Sequence, residues 1–377
     1  MTPNFSTSSS RAFIVVFCLT FLAVTAAGAQ DLDTGVGGCP TTSGNNVCLT
    51  TYQGGVSRRG FNPNETALTQ SAIIATTGST FQKQRSVSVN GAIYGQPLVL
   101  PNVVVGGTTH TDVAYVATEQ DLVYAIDAVT GTTVWPAVNL LKSGYTYLNA
   151  TNDLRGCQNI LPGPGDVGVT GTPVIDISGN TGANNTITSG TLYVVAKMRT
   201  PLTGAATAYA QWLYAIDITT GNIKASTQIG GTFNGITFDT APMGYSNNQN
   251  QRGALLAVPV SGQNPQIVIT WAAHCDNTNF PHSGWVMGYQ LNSTQNALSP
   301  TGIWLSVPSS SGLQGGIWQG GSGPAADSSG PSFSSRETVM PISTSAFRRT
   351  TIQPLALGRH ATTVTPLSRW YCPAAHL

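Results

Sequence analysis

One eight-residue phrase occurs twice in this chain, as YAIDAVTG at 124–131 and as YAIDITTG at 214–221. In each copy an alternating apolar run, typical of a β-strand, ends at an aspartate that can accept a hydrogen bond from the backbone two residues on. The glycine that closes each copy supplies the positive φ of a tight hairpin turn. A supersecondary phrase repeated in this way indicates a repeat architecture built from β-hairpins.

Each copy has further parts in the same order. An opening signature reads GQPLV at 95–99 and GTPVI at 171–175, and a middle strand reads VAYVA at 113–117 and LYVVA at 192–196. With the strand after the turn, the unit holds four strands, which is the organisation of a propeller blade. The sequence therefore predicts an all-β fold, a β-propeller of four-stranded antiparallel blades.

The spacing of the openers gives the number of units. Pro97 and Pro173 are 76 residues apart, and an opener at 324–330 follows the similar segment at 173–179 by 151 residues. A weaker third unit between them reads GALLAV, IVITW and GWVMGY. We expect about three blades and the start of a fourth within residues 91–330, after a lead-in segment at 30–90.

The segment AIDAVTGTTVW at 125–135 resembles the tryptophan-docking repeat of pyrroloquinoline quinone (PQQ) type β-propellers. The resemblance implies that Trp135 packs between neighbouring blades, and that Asp127, Gly131, Asp217 and Gly221 form turns. The second copy has Ala225 where the first has Trp135, which implies one weaker contact between blades. Residues 60–68 also resemble the family's lead-in segment, which often supplies the strand that closes the ring.

The N-terminus has the pattern of a signal peptide. Arg11 precedes an apolar run at 12–24, and the small residues AGA at 27–29 form a cleavage pattern before Gln30. The alternative is an uncleaved anchor, but this run is shorter than the roughly 20 residues that span a bilayer. We expect a signal peptide at 1–29, a secreted or periplasmic protein, and no stable membrane span after cleavage.

An oxidising compartment favours disulfides between the cysteines of the mature chain. Cys39 and Cys48 flank a loop rich in Ser, Gly and Asn, and we expect them to form a local bridge. Cys157 and Cys275 lie in loops of successive units and could pair if those loops share one face.

Composition narrows the range of partners. Charged residues make up only 8% of the chain and the net charge is +1. Because no cluster of Lys or Arg offers a stripe for phosphates, we expect no nucleic-acid partner.

Two polar clusters are candidate ligand sites. The first cluster lies at 271–285 and could bind a metal through His274, Asp276 and His282. The spacing of these residues matches no tight ligand motif, so we predict hydrogen-bonded histidines between packing tryptophans and no metal site. The second cluster, at 315–324, is glycine-rich. It could line a pocket near the central channel, or it could simply bend the chain into the fourth unit. The candidate ligand-binding residues are Trp271, His274, Asp276, His282, Trp285, Trp318 and Gln319.

Two classes of function follow from the repeat. The first is an exported, non-catalytic propeller that binds an unassigned ligand or protein partner, with no cofactor. The second is a fragment of a PQQ-dependent alcohol or sugar dehydrogenase, with PQQ and Ca²⁺, whose active site lies in missing blades. The resemblance implies a pair of adjacent cysteines and an acidic cluster for the second class, and the sequence has neither. We therefore favour the first class and name no catalytic residue.

The repeat pattern stops near residue 330. Residues 331–377 contain five arginines, no lysine and no further copy of the phrase, which suggests a break in the reading frame near codon 330. The alternative is a genuine disordered tail. Because an incomplete ring exposes unpaired strand edges, we also expect self-association through those edges.

Overall fold

The computed structural model describes the following residues: 48–55, 58, 60, 68–74, 83–154, 165–177, 185–201, 207–238, 249–274, 283–307, 315–327 and 330–332. All of them lie in one compact unit. The predicted signal peptide, most of the lead-in segment and residues 333–377 lie outside the described ranges.

A short helix, α1 (Gln70–Ile74), precedes the first blade. That blade is a four-stranded antiparallel sheet in which each strand pairs with the next along the chain. Its strands are β1 (Leu98–Val105), β2 (Thr108–Ala117), β3 (Leu122–Asp127) and β4 (Thr133–Asn139). The predicted opener, middle strand and hairpin strand all fall within this sheet.

The second blade has the same four strands and one addition that the repeat did not predict. Between the blades lie β5 (Thr146–Asn149), the one-turn helix α2 (Ala150–Asp153) and β6 (Asp166–Val167), and β5 pairs with residues 198 and 199 of the second blade. The strands of the blade itself are β7 (Val174–Asp176), β8 (Thr191–Arg199), β9 (Tyr209–Asp217) and β10 (Ile223–Gln228).

Every residue of β8 is buried, because its sheet lies between the sheets of the first and third blades. Two short pairs follow the second blade. The strands β11 (Thr232–Phe233) and β12 (Ile236–Thr237) form a hairpin, and β13 (Gln249–Asn250) pairs with a strand of the third blade's long loop.

The third blade is again an antiparallel sheet of four strands, with its middle and hairpin strands separated by a short extra strand. The elements of this region are β14 (Leu256–Val258), β15 (Gln266–Thr270), β16 (Ala272–Ala273), β17 (Trp285–Asn292) and β18 (Ala297–Leu305).

The fourth unit is represented by one short pair, β19 (Ala325–Asp327) and β20 (Gly330–Ser332). The predicted opener is β19. The sequence predicted no strand after it, but β20 pairs antiparallel with β19 across the position where the repeat pattern stops. Main-chain groups make this pairing, so it needs no apolar pattern, and that is why the sequence did not reveal it.

The core lies between the blades. One cluster of buried apolar side chains joins the first and second sheets, and a second cluster joins the second and third. The first strands meet at one edge, where β14 contacts β7 and β19, while β10 contacts β18 further out. The described residues therefore form an incomplete β-propeller of four-stranded antiparallel blades.

Candidate functional site

One segment, residues 48–55 and 58, crosses the inner edge of the blades, and we call it the strap. Leu49 exchanges two backbone hydrogen bonds with Val99 of β1, at N···O distances of 2.7 and 3.1 Å. The next residue, Thr50, accepts a hydrogen bond from the backbone N–H of Ile175 in β7 at 2.7 Å. Consecutive strap residues are thus bonded to the first strands of consecutive blades.

The strap continues to the third and fourth units. The Thr51 hydroxyl donates to the carbonyl of Leu255, just before β14, at 3.1 Å. The guanidinium of Arg58 donates to the same carbonyl at 2.9 Å and to the carbonyl of Pro324, just before β19, at 3.0 Å. One short segment therefore bonds to all four units where their first strands converge.

Polar side chains from the segments that enter the blades form a set that we call the axial cluster. It consists of four half-buried residues, Arg58 of the strap, Tyr94, Arg252 and Gln319, and of the fully buried Glu119. Tyr94 interacts electrostatically with both Glu119 and Arg252. Arg252 donates to the carbonyl of Thr170 at 3.3 Å, so the start of the third blade touches the start of the second. The cluster combines two cations with one buried carboxyl group.

Glu119 holds the first blade to the segment that enters the second. Its Oε2 accepts hydrogen bonds from the backbone N–H of Gly168 at 2.7 Å and from the Thr170 hydroxyl at 3.0 Å. Burial raises the pKa of Glu119 to about 7, although these two bonds and the charge of Arg252 act in the opposite direction. The carboxyl group therefore titrates near neutral pH.

Asp121 lies in the same turn and is fully buried. Burial raises its pKa well above the ordinary range, and the charge of Glu119 adds to the shift. A Cβ on Gly168 would come within 2.6 Å of Asp121 Oδ1 and 2.5 Å of the Glu119 carbonyl, so this contact requires glycine.

Two of the predicted ligand-binding tryptophans are core residues. Trp271 and Trp285 are both fully buried, and each packs edge-on against Phe238, with ring centroids 5.1 and 5.7 Å apart. The indole N–H of Trp271 donates to Gln211 Oε1 at 2.8 Å. These side chains stabilise the interface between the second and third blades and present no surface to solvent.

His274 is fully buried as well, and its Nε2 lies 2.8 Å from the ammonium of Lys197. Lys197 also donates to the carbonyl of Gln249 at 2.7 Å. Burial and the Lys197 charge hold the pKa of His274 well below its ordinary value. The imidazole is therefore neutral, with Nε2 accepting from Lys197 and the proton on Nδ1.

This arrangement does not favour a metal at His274, because the Lys197 ammonium already donates a hydrogen bond to Nε2, the nitrogen that would bind the metal. The other two proposed ligands, Asp276 and His282, lie outside the described residues. Within the described part of the chain, no three His, Cys, Asp or Glu side chains converge into a possible metal site.

Trp318 and Gln319 are half-buried, so they are the two described candidates that solvent reaches. Gln319 has a φ of 51° and lies in a 3-10 turn, Gln319–Gly321, that leads into the fourth unit. Its Oε1 accepts from the Thr270 hydroxyl at 3.3 Å. The glycine-rich segment thus both bends the chain and contributes to the axial cluster.

The repeated aspartates are turn residues. Asp127 Oδ1 accepts from the backbone N–H groups of Val129 and Thr130 at 2.9 and 2.7 Å, and Gly131 has a φ of 79°. Asp217 makes the same two contacts in the second blade, where Gly221 has a φ of 74°. In both blades Oδ1 of the aspartate thus holds the turn, while Oδ2 contacts His110 in the first blade and Lys224 in the second.

Trp135 lies between the first two blades. It is 5% exposed, and its indole N–H donates to the carbonyl of Ile218 in the second blade at 3.1 Å. At the next interface, Ala225 belongs to a buried cluster that also includes Phe238 and, at its margin, Phe233. Aromatic side chains from the segment after β10 thus pack at the interface where the repeat lacks its tryptophan.

Cys48, at the start of the strap, is disulfide-bonded. The other predicted disulfide cysteines, Cys39, Cys157 and Cys275, lie outside the described residues. No helix in the described ranges is both long and apolar enough to cross a membrane.

The strap and the buried pair Glu119 and Asp121 were not predicted as functional. Neither residue belongs to a motif, and the strap lies about 50 to 270 residues from its partners in sequence. A sequence signal did exist, because two carboxylates in a four-residue turn are unusual in a chain with 8% charged residues.

The fold and the strap define the chain as an incomplete β-propeller of four-stranded blades. No protein-family model matches the chain, and no curated protein is similar to it at a significant level. Among solved structures, the crystal structure of BamB from Moraxella catarrhalis matches with 13% sequence identity and a TM-score of 0.18. The match covers 56% of this chain and 53% of BamB, and a similarity this low carries no argument about function.

Proposed function

We propose that this chain is an exported, non-catalytic binding module, in which a propeller of PQQ-like repeats serves as a rigid scaffold for a protein partner. The observation that carries the proposal is the strap. It bonds to the first strands of the first two units and to the residues just before the first strands of the next two, so the inner edge where the blades converge is tied together by the chain itself.

The strap favours binding over catalysis for a physical reason. A cofactor held on the propeller axis needs polar groups at the inner edge that are not already bonded. Here the main-chain groups of Val99, Ile175 and Leu255 are used by the strap. Rigid elements tied in this way reduce the entropy lost when a partner binds, which is what a scaffold contributes to affinity.

The repeat type is supported by the docking of Trp135. Its indole fits against the turn of the following blade and donates to Ile218, as the resemblance to PQQ-type repeats implies. Export is supported by the disulfide at Cys48, because such bonds persist in oxidising compartments and not in the cytosol.

We propose the axial cluster as the partner's contact surface. Gln53 is exposed at the strap's 3-10 turn, and Arg252 and Gln319 are half-buried. The strap that carries Gln53 is itself fixed, because its residues are hydrogen-bonded to the blades. The half-buried guanidinium of Arg252 favours a partner that presents carboxylates or main-chain carbonyls.

A cofactor titration tests the non-catalytic part. The purified chain is titrated with PQQ and Ca²⁺ while the quinone absorbance and the dye-linked oxidation of ethanol and glucose are followed. We expect no saturable absorbance change and no dye reduction. Saturable quinone binding together with alcohol or sugar oxidation would support the dehydrogenase class and overturn the proposal.

Site-specific cross-linking tests the binding part. A photo-reactive residue at Gln53 is compared with one at Thr109, which is equally exposed on the first blade but distant from the strap in the sheet. We expect one protein of a bacterial envelope extract to be captured at position 53 and not at 109, and capture to fail in Arg252→Ala. Equal capture at both positions would contradict a specific axial surface.

A further inference from the structure

The third blade contains a groove that none of the functions above uses. It has a volume of about 820 Å³ and lies between the turn that joins β14 to β15 and the turn that joins β17 to β18. Both turns lie at the end of the sheet where β14 finishes, whereas the strap bonds to Leu255, just before β14 begins. The groove is therefore a separate surface.

The lining of the groove has an unusual chemistry. Eight of its thirteen residues carry an amide or a hydroxyl group, and none is charged. Pockets for drug-like molecules are lined mainly by apolar and aromatic side chains. A phosphate, a carboxylate or an ammonium group would meet no opposite charge here, so the lining favours a ligand that is both neutral and rich in hydrogen-bonding groups.

Two amides of the groove are fixed by their nitrogen atoms. Asn264 Nδ2 donates to the carbonyl of Leu291 at 2.7 Å and to the hydroxyl of Ser293 at 2.8 Å. In return, Gln290 Nε2 donates to the carbonyl of Asn264 at 2.7 Å. These bonds join the two turns and hold both walls of the groove in place.

Because their nitrogens are committed, Asn264 Oδ1 and Gln290 Oε1 remain as acceptors whose positions are set by the fold. The hydroxyls of Ser299 and Thr294 can donate or accept as the ligand requires. Val260 and Leu291 add apolar surface to the same groove. Fixed acceptors, adaptable hydroxyls and small apolar patches match a sugar ring, which carries several hydroxyl donors and has C–H faces.

We propose that this groove binds a neutral oligosaccharide. Its volume lies within the roughly 300–1,000 Å³ of ordinary ligand sites, enough for a few sugar residues. The pre-formed acceptors lower the ordering cost of binding, which matters for a ligand that contributes little apolar area.

The test uses the full chain and three kinds of probe. The neutral probes are hexasaccharides of glucose and of N-acetylglucosamine, the acidic probe is hexagalacturonate, and the third is a pool of neutral heptapeptides. Saturation-transfer NMR detects binding and calorimetry measures it. We expect at least one neutral hexasaccharide to bind with a Kd below about 1 mM, and neither the acidic probe nor the peptides to bind.

Lysine variants locate the site. Ser299→Lys and Thr294→Lys place a long cationic chain at exposed positions of the groove, and neither side chain makes a cross-turn bond in the described structure. Thr109→Lys is the matched control, an exposed threonine at the equivalent turn of the first blade. We expect the groove variants to weaken hexasaccharide binding at least roughly tenfold and the control to leave it unchanged, at equal melting temperature.

Three results would overturn the proposal: no neutral hexasaccharide binds, only peptides or the acidic probe bind, or both groove variants bind as tightly as the wild type. None of these results bears on the axial surface, since the cross-linking experiment at Gln53 reads that surface independently.

Discussion

Trp135 of the first blade lies so close to Gly221 of the second that a Cβ at position 221 would come within 3.0 Å of the indole ring. Gly221 also has a φ of 74°, which L-residues adopt at a cost. The closing glycine of the repeated phrase therefore serves two purposes, the turn of its own blade and the docking of its neighbour.

We predict that Gly221→Ala lowers the free energy of unfolding by more than the cost of placing alanine at a positive φ. The positive φ costs about 1–2 kcal/mol, and displacing the indole adds about 1–3 kcal/mol. Gly107→Ala is the control, because Gly107 has a φ of 84° and no atom lies within 4 Å of its added Cβ. Urea unfolding with a common slope measures both variants, and equal losses would contradict the docking role.

Substitutions of Trp135 itself separate its packing from its hydrogen bond. Trp135→Phe loses the bond to Ile218 and should cost about 1–2 kcal/mol, while Trp135→Ala should cost about 3–5 kcal/mol through the cavity it leaves. Trp304→Ala is the comparison, since Trp304 is half-buried on β18 and should cost less. Thermal unfolding ranks the three, and a smaller loss for Trp135→Ala than for Trp304→Ala would be inconsistent with the interface described.

Because the pKa of Glu119 is raised in the folded chain, we predict that the free energy of unfolding falls as the pH rises toward neutrality. Its pKa is raised from 4.5 to about 7 in the folded chain, so between these values the folded state binds a proton that the unfolded state does not. Its contribution is therefore present below about pH 4.5 and is lost as pH rises to about 7, by an amount on the order of 3 kcal/mol. Asp121 acts in the same direction.

Glu119→Gln keeps the shape of the side chain and removes its titration. In this variant we expect the free energy of unfolding to fall less between pH 5 and 7.5 than in the wild type, as measured by urea unfolding at each pH. His274 has the opposite sign, because its pKa is lowered and its contribution is lost as pH falls below about 6.5. A wild type and a variant with parallel pH profiles would show that Glu119 does not titrate in this range.

We predict that the hydrogen bonds between the strap and the blades require the planar guanidinium of Arg58. Its guanidinium donates through Nε, Nη1 and Nη2 to acceptors in the strap and in two units, a geometry that lysine cannot reproduce. We expect Arg58→Lys and Arg58→Ala both to lose about 1–3 kcal/mol. Arg85→Ala, at an exposed position, should lie within about 0.5 kcal/mol of the wild type. Full retention of stability in Arg58→Lys would mean that charge alone is sufficient.

The blades could be predicted from the sequence because their signals are local. Alternation, the Asp-x-x-Thr-Gly turns and the openers are all contained within a few residues, and the structure places each of them in the expected strand. The inserted β5 and α2 and the hairpin of β11 and β12 were not predicted, since they interrupt the repeat without a pattern of their own. Their strands are only two to four residues long.

The candidate site was harder to predict, because proximity in a propeller is set by stacking and not by sequence spacing. The described residues of the densest polar run, Trp271 and His274 among them, are buried between two blades, where Lys197 of another blade contacts the imidazole. The axial cluster draws single residues from five segments of the chain, one of which is the strap. Only the packing of the units brings them together, so no local pattern marks them.

Hydrogen exchange of two backbone amides tests the central claim most directly. In the full chain, the N–H groups of Val99 and Ile175 face the inner edge and donate to Leu49 and Thr50 of the strap. If the strap ties the blades together, both amides should exchange on the order of 100-fold more slowly than those of the exposed turn at Gly106 and Gly107. Exchange of both at the rate of an unstructured peptide would contradict the account.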